Sequence, residues 1–220
     1  MSVTWGDLLA AIRTRLDEPE AGFWSDDELR YWAVEGLRDV ARDLKNLRGT
    51  KSYTTVASQG EYEMPDDMIQ AYRVEYRRTA TQILPLEYTP HMAMDEMWGL
   101  NRTASGTPRW WYPLGHPGDG SIGIFPAPSE EIEDGLRVYY YRLPRDITDT
   151  SDPVDINVGW QDVIELYVEF NARRKEATDN RWREAAQLYE MRLDKFRRVS
   201  MNYSDQPQYI TRNDLDPWGY

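Results

Sequence analysis

The sequence has no cysteine, which excludes disulfide staples and thiolate chemistry and fits assembly in a reducing cytosol. It has no run of about 18 apolar residues, and MSVTWGDLL at its start has neither a signal-peptide nor a membrane-spanning pattern, so no membrane partner is expected. Histidine is nearly missing: His91 and His116 stand alone, without metal-ligand spacing. There is no glycine-rich phosphate loop and no Gly-x-Ser-x-Gly elbow. Positive charge is short. Against 38 acidic side chains there are 26 basic ones, a net of −12, which argues against general binding of nucleic acid through a positive field.

What is abundant is aromatic surface with a polar tip. The chain of 220 residues carries nine Trp and 15 Tyr against four Phe. Such rings fill cores, and they are also enriched at protein–protein contacts. Carboxylates cluster at Asp26-Asp27-Glu28, Asp66-Asp67 and Glu130-Glu131-Glu133-Asp134. The first cluster opens a helix, and the others sit beside turn residues as solvated surface. Paired carboxylates could serve an acidic carbohydrate or peptidoglycan hydrolase, whose mark would be a deep pocket of Trp110, Trp111 and a carboxylate pair. The reading adopted is that the chain is not an enzyme, with no catalytic residue, cofactor or metal.

The stretch from Phe23 to Leu44 states its structure most clearly. Ser25 can cap a helix that Glu28 answers as a capping box, and Trp24 with Leu29 makes the hydrophobic staple. Leu29, Trp32, Ala33, Leu37, Val40, Ala41 and Leu44 then recur at helical spacing, and that apolar face needs a partner. An earlier helix is expected from Trp5 to Leu16, capped by Thr4. The second should end near Lys45 to Arg48, with Gly49 as its stop.

Strand propensity begins at Thr50. Strands are expected at 53–56, 62–64, 71–77, 83–88, 109–114, 121–125 and 136–142, and a short helix from Thr89-Pro90 to Trp98. Residues 146–157 read as a linker rich in Asp, Thr and Pro. Two more helices follow, from about Trp160 to Glu176 and from Arg181 to Met201, the second with Trp182, Ala185, Ala186, Tyr189, Leu193, Phe196 and Val199 as its apolar residues.

The expected fold class is therefore α+β. A helical bundle is built from an N-terminal pair (1–49) and a C-terminal pair (159–202), with a central β-rich insertion (50–158) and an extended tail (203–220). The acidity is concentrated in the insertion, where residues 51–158 carry 9 basic and 17 acidic side chains. The tail has no helical or strand period, yet it keeps Tyr203, Tyr209, Ile210, Leu215, Trp218 and Tyr220. A solvated disordered tail usually lacks such residues, so they are read as anchors for a partner surface; the alternative is a tail folded back over its own core. Arg192, Lys195, Arg197 and Arg198 on the last helix are candidates for a cationic docking face, against the alternative of a solvated one.

Four stretches together resemble the head–tail adaptor (connector) proteins of tailed bacteriophages. They are Trp24-Ser25-Asp26-Asp27-Glu28-Leu29 with Trp32, Glu35-Gly36 and Asp39; Tyr62-Glu63-Met64-Pro65-Asp66-Asp67; Pro108-Arg109-Trp110-Trp111-Tyr112, Ile122 to Pro128 and Val138 to Pro144; and Asp152-Pro153 with Trp160-Gln161-Asp162. Gln161 stands where that family's pattern has histidine, and no function is attached to it. The resemblance implies a dodecameric ring under the portal protein, made in the host cytoplasm and located at the virion neck. Helices and a C-terminal arm would bind portal, the far side would meet a tail or nozzle protein, and DNA would pass through the bore as a non-specific passenger. The free protein is expected to be a monomer or weak oligomer. A stopper or tail component of the neck is the alternative within the same setting.

Overall fold

The structure, a computed structural model, describes residues 3–79, 81–98, 104–116, 118–176 and 180–203. It is α+β. In chain order the elements are α1 (Trp5–Leu16), α2 (Asp26–Leu44), β1 (Arg48–Thr55), β2 (Glu61–Glu63), β3 (Met68–Arg77), β4 (Ile83–Pro85), β5 (Glu87–Tyr88), α3 (His91–Trp98), β6 (Ser105–Gly106), β7 (Trp110–Leu114), β8 (Ser121–Phe125), β9 (Ala127–Pro128), β10 (Ile132–Arg142), α4 (Gln161–Glu176) and α5 (Arg181–Tyr203). They form two compact units, one drawn from Met1–Asn46 with Pro144–Tyr220 and the other from Leu47–Leu143.

In the helical unit both early helices begin with reciprocal caps. The Asp7 N–H donates to Thr4 Oγ1 at 3.2 Å while the Thr4 N–H donates to the Asp7 carboxylate at 3.2 Å. Ser25 and Glu28 repeat the exchange at 3.2 and 3.3 Å. These bonds satisfy helix-start N–H groups that have no partner inside the helix. Leu8 and Ile12 of α1, Leu29, Ala33 and Leu37 of α2, Val163, Ile164, Val168 and Ala172 of α4, and Tyr189, Leu193 and Phe196 of α5 share one core. α4 touches each of the other three. It can do so because its apolar residues run round more than one side. Polar links reinforce the packing: Arg15 of α1 pairs with Glu165 at 2.7 Å and Glu169 at 3.4 Å on α4, and the Arg173 guanidinium donates to the Arg15 carbonyl at 2.9 Å.

The strand expected over 83–88 is split into β4 and β5, which join different sheets; β1 and β10 begin earlier than expected, and β6 and β9 were not expected. Two further differences lie in the linker and at the end of the second helix. Residues 146–157 are packed rather than a free linker. Ile147, Val154 and Ile156 enter the helical core, and the backbone N–H groups of Trp5 and Gly6 donate to the carbonyls of Asp152 and Thr150 at 2.9 and 2.8 Å. Polar composition concealed three well-spaced apolar residues. The second helix stops at Leu44, with Lys45 in the left-handed conformation (φ 48°), and Gly49 is not its stop. Gly49 belongs to β1, where a Cβ would lie 2.7 Å from the Tyr140 ring, so close approach of that ring is what requires glycine.

In the β unit, one antiparallel sheet has the order β1-β10-β3-β4 and a second has β2-β8-β7-β5, its β5–β7 pair parallel; β6 and β9 form a small parallel pair. The first and last long strands of the segment therefore pair with each other, and the Arg142 N–H donates to the Leu47 carbonyl at 3.0 Å. The core takes Tyr62, Val74, Tyr76, Trp111, Ile122, Ile124, Leu136 and Val138. Tyr140 lies against it and donates from its hydroxyl to Asp67 at 3.0 Å. Burial and that carboxylate push its phenol up to about 12.

Candidate assembly surfaces

The predicted docking residues sort by position. Tyr203 is the last residue of α5, with its side chain outside the described set, and Tyr209, Ile210, Leu215, Trp218 and Tyr220 lie outside the described residues altogether. On α5, Arg192 and Arg197 are committed within their own unit. Arg192 Nε is 2.5 Å from Asp162 Oδ2, an ion pair whose N–H is not aligned for a hydrogen bond, and its guanidinium sits 4.7 Å over the Trp160 ring. Arg197 bridges Asp43 at 2.7 Å and Asp194 at 2.6 Å, and the Asp43 hydrogen bond raises its already high pKa. Lys195 and Arg198 are exposed, with no ion-pair partner among the described residues.

Beside those two free cations lie apolar side chains that the sequence reading missed or misplaced. Leu188 is 49% exposed and Met191 69% exposed, and Val199, read as part of the buried stripe, is 37% exposed. The signal was available. Leu188, Met191, Lys195 and Arg198 recur at helical spacing, offset from the Ala185–Tyr189–Phe196 stripe that enters the core, so α5 carries two faces with different jobs. The first is internal packing. The second presents apolar area flanked by positive charge.

A groove of about 400 Å³ lies between α2, α4 and α5, lined by Asp39, Asp43, Tyr167, Phe170, Tyr189 and Arg197 among others. Burial pushes the Tyr189 phenol far up and raises that of Tyr167 as well, so both hydroxyls stay protonated at neutral pH. Asp43 is occupied by Arg197. With Asp39 and Asp43 in its lining, the groove can accept hydrogen-bonding or cationic groups.

The residues that would mark a hydrolase are placed otherwise. Trp111 is a core residue at 4% exposure, and Trp110 stacks on Phe125 with ring centroids 6.3 Å apart. Neither lines the second described cavity, about 300 Å³ bounded by Ser58 to Glu61, Tyr112, Ile124, Phe125 and Ala127. Among the described residues, no three His, Cys, Asp or Glu side chains are grouped to hold a metal ion, and no helix is long and apolar enough to cross a membrane.

What these surfaces offer is contact area, rings and charge, the chemistry of a protein that assembles. The family model for the SU10 adaptor protein matches residues 3–215, and the chain belongs to that family. It is a family of bacteriophage structural adaptors, virion components rather than enzymes, as the resemblance implied. No curated protein matches the chain.

Proposed function

We propose that the chain is a head–tail adaptor that forms a ring, dodecameric in its complete form, under the portal protein. It joins the DNA-filled head to the tail or nozzle, and DNA passes through the bore. The observation that carries this reading is the match to an adaptor family over residues 3–215. The second face of α5 supports it. Leu188, Met191 and Val199, with Lys195 and Arg198, lead along one helix toward the aromatic segment 204–220. Tyr209, Ile210, Leu215, Trp218 and Tyr220 supply large anchors of the kind that dominate interfaces. The net charge of −12 disfavours adhesion of the phosphate backbone, so passing DNA is not trapped.

Binding to purified portal-bearing particles tests the reading, with the complete chain beside a version ending at Tyr203. The complete chain should decorate the portal as a ring with countable subunits. The shorter version should bind about tenfold or more weakly, the cost expected for losing even one strong aromatic anchor. Equal affinity of the two versions removes the tail from the interface. A complete chain that ignores portal but binds an assembled adaptor ring is a stopper or tail component instead.

A further inference from the structure

The four-stranded sheet of the β unit buries Val74, Tyr76, Leu136 and Val138 on one face. Strand alternation places Arg73, Arg77, Arg137 and Tyr139 on the other. There Tyr139 opposes Thr50 and Arg73, and Arg137 opposes Ser52 and Glu75. The register shifts at Tyr139/Tyr140, leaving Tyr72 as the extra residue on β3. The Tyr72 ring meets Tyr141 at 4.8 Å and Tyr139 at 6.4 Å. The Arg48 guanidinium lies 5.9 Å over Tyr72, and that of Arg73 lies 5.6 Å over Tyr139.

The charge on this face is unbalanced. Its carboxylate Glu75 is buried, accepts from the Tyr139 hydroxyl at 3.0 Å and is neutralised by Arg73 at 2.5 Å. Arg48, Arg77 and Arg137 have no carboxylate partner among the described residues, and the buried Nε of Arg77 has no hydrogen-bond acceptor. The Tyr72 ring holds Arg48, and Arg137 donates from Nε to Ser52 Oγ at 3.3 Å, so these two cations have less side-chain freedom to lose when an anion arrives.

The occupant must be acidic. A nucleic acid fits poorly: the chain's net charge of −12 opposes approach to phosphates, and these rings pack on one another instead of standing free to stack on bases. A second copy of the chain brings the complementary charge. Glu130 and Glu131 precede β10, and Glu133 and Asp134 lie within its first three residues; all four are exposed, and among the described residues only Glu130 is paired, to Arg78 at 3.5 Å. We propose that the Tyr–Arg face of one copy receives the acidic 130–134 segment, at the start of β10, of the next. From Arg137 to Tyr141 the face runs about 13 Å along β10, a length that a five-residue segment can cover. In a ring this contact runs from the face of one copy to the acidic segment of the next, the heterologous type that closes rings. The inference rests on the ring reading and names the contact that builds it.

Sedimentation of the concentrated complete chain, at low and high salt, tests it. One variant carries Arg48→Glu and Arg137→Glu, a second carries Glu131→Lys and Glu133→Lys, and thermal melts check that both fold. The second alters two exposed side chains and serves if the first does not fold. The native chain should self-associate at low salt and less at high salt. Each variant alone should associate at least about tenfold more weakly, because like charges then face each other. An equimolar mixture should recover association, since each altered surface meets its complement on the other variant. Native association unaffected by either variant overturns the inference, as does a native chain that stays monomeric throughout. So does duplex DNA binding that is lost with Arg48→Glu and Arg137→Glu while self-association persists. Portal binding is read separately. If the native chain captures portal and its self-association ignores these charges, only this inference fails. If the charge swaps behave as described but portal is not bound, only the head–tail reading fails.

Discussion

Gly36 shows how one residue sets a helix spacing. It lies inside α2, and a Cβ there would stand 2.7 Å from Cδ1 and 3.0 Å from Cγ of Tyr167 on α4. Those atoms are at the base of the ring, which also packs edge-on to Tyr189 at 5.4 Å, so the ring cannot swing clear. Alanine gains about 1 kcal/mol of helix propensity over glycine, whereas overpacking a tight contact costs about 1–3 kcal/mol. The overlap wins. Gly36→Ala should lower the thermal midpoint by a few degrees, and a midpoint equal to or above that of the native chain contradicts the argument. Arg13 is a second such residue. It is buried in α1, pairs with Asp26 and donates to the carbonyls of Glu20 and Trp24 at 3.2 Å each, so it pins the whole break between α1 and α2. Its sequence neighbours gave no hint of this, because its acceptors lie beyond its own helix.

At the scale of elements, the 148–152 turn makes a testable statement about acid. Asp152 accepts the N–H of Asp149 at 2.8 Å and of Thr148 at 2.7 Å, and the Thr148 hydroxyl at 2.9 Å, and these bonds hold its carboxyl below the ordinary 3.8. Asp149, bonded to the Ser151 N–H and hydroxyl, is held low as well. A carboxylate with a lower pKa folded than unfolded stabilises fully above its unfolded value and loses that contribution as pH falls through the folded one. The thermal midpoint should therefore be level above about pH 5 and fall below about pH 4. Asp152→Asn should lower it at neutral pH and flatten the acid limb. An acid limb as steep as that of the native chain removes Asp152 from the account. The element map itself was largely legible. α1, α2, α3, β7 and β8 lie within a few residues of expectation, because caps, helical spacing and turn residues are local signals. Of the pairings, only that of the neighbouring strands β3 and β4 was legible. That β1 joins β10 and β2 joins β8 depends on contacts between residues far apart in the chain.

For the whole molecule, the pairing of β1 with β10 has a consequence. The segment Leu47–Leu143 brings its ends together through the Arg142–Leu47 hydrogen bond and holds its own apolar core. Residues 47–143 expressed alone should fold and melt cooperatively, as a unit with its own core and adjacent ends does. A collapsed or unfolded spectrum by NMR would show that this core is not self-sufficient. The pairing of the α5 cations was not legible. Lys195 and Arg198 are exposed without an ion-pair partner among the described residues, while Arg192 and Arg197, of the same charge, are spent on Asp162, Asp43 and Asp194. The Tyr–Arg face of the β unit was unreadable beforehand. Its members come from three strands, and only the register makes them neighbours.

The residues alone determined the element types, the caps, the acidic balance and the adaptor family, since each follows from short spacings or from the order of motifs along the chain. Tertiary structure alone decided which charges remain unpaired, why Gly36 and Gly49 must be glycine, and which side of each strand or helix is left for a partner. Those outcomes depend on distances across the fold, where a carboxylate more than a hundred residues away can pair with an arginine, as Glu165 of α4 does with Arg15 of α1.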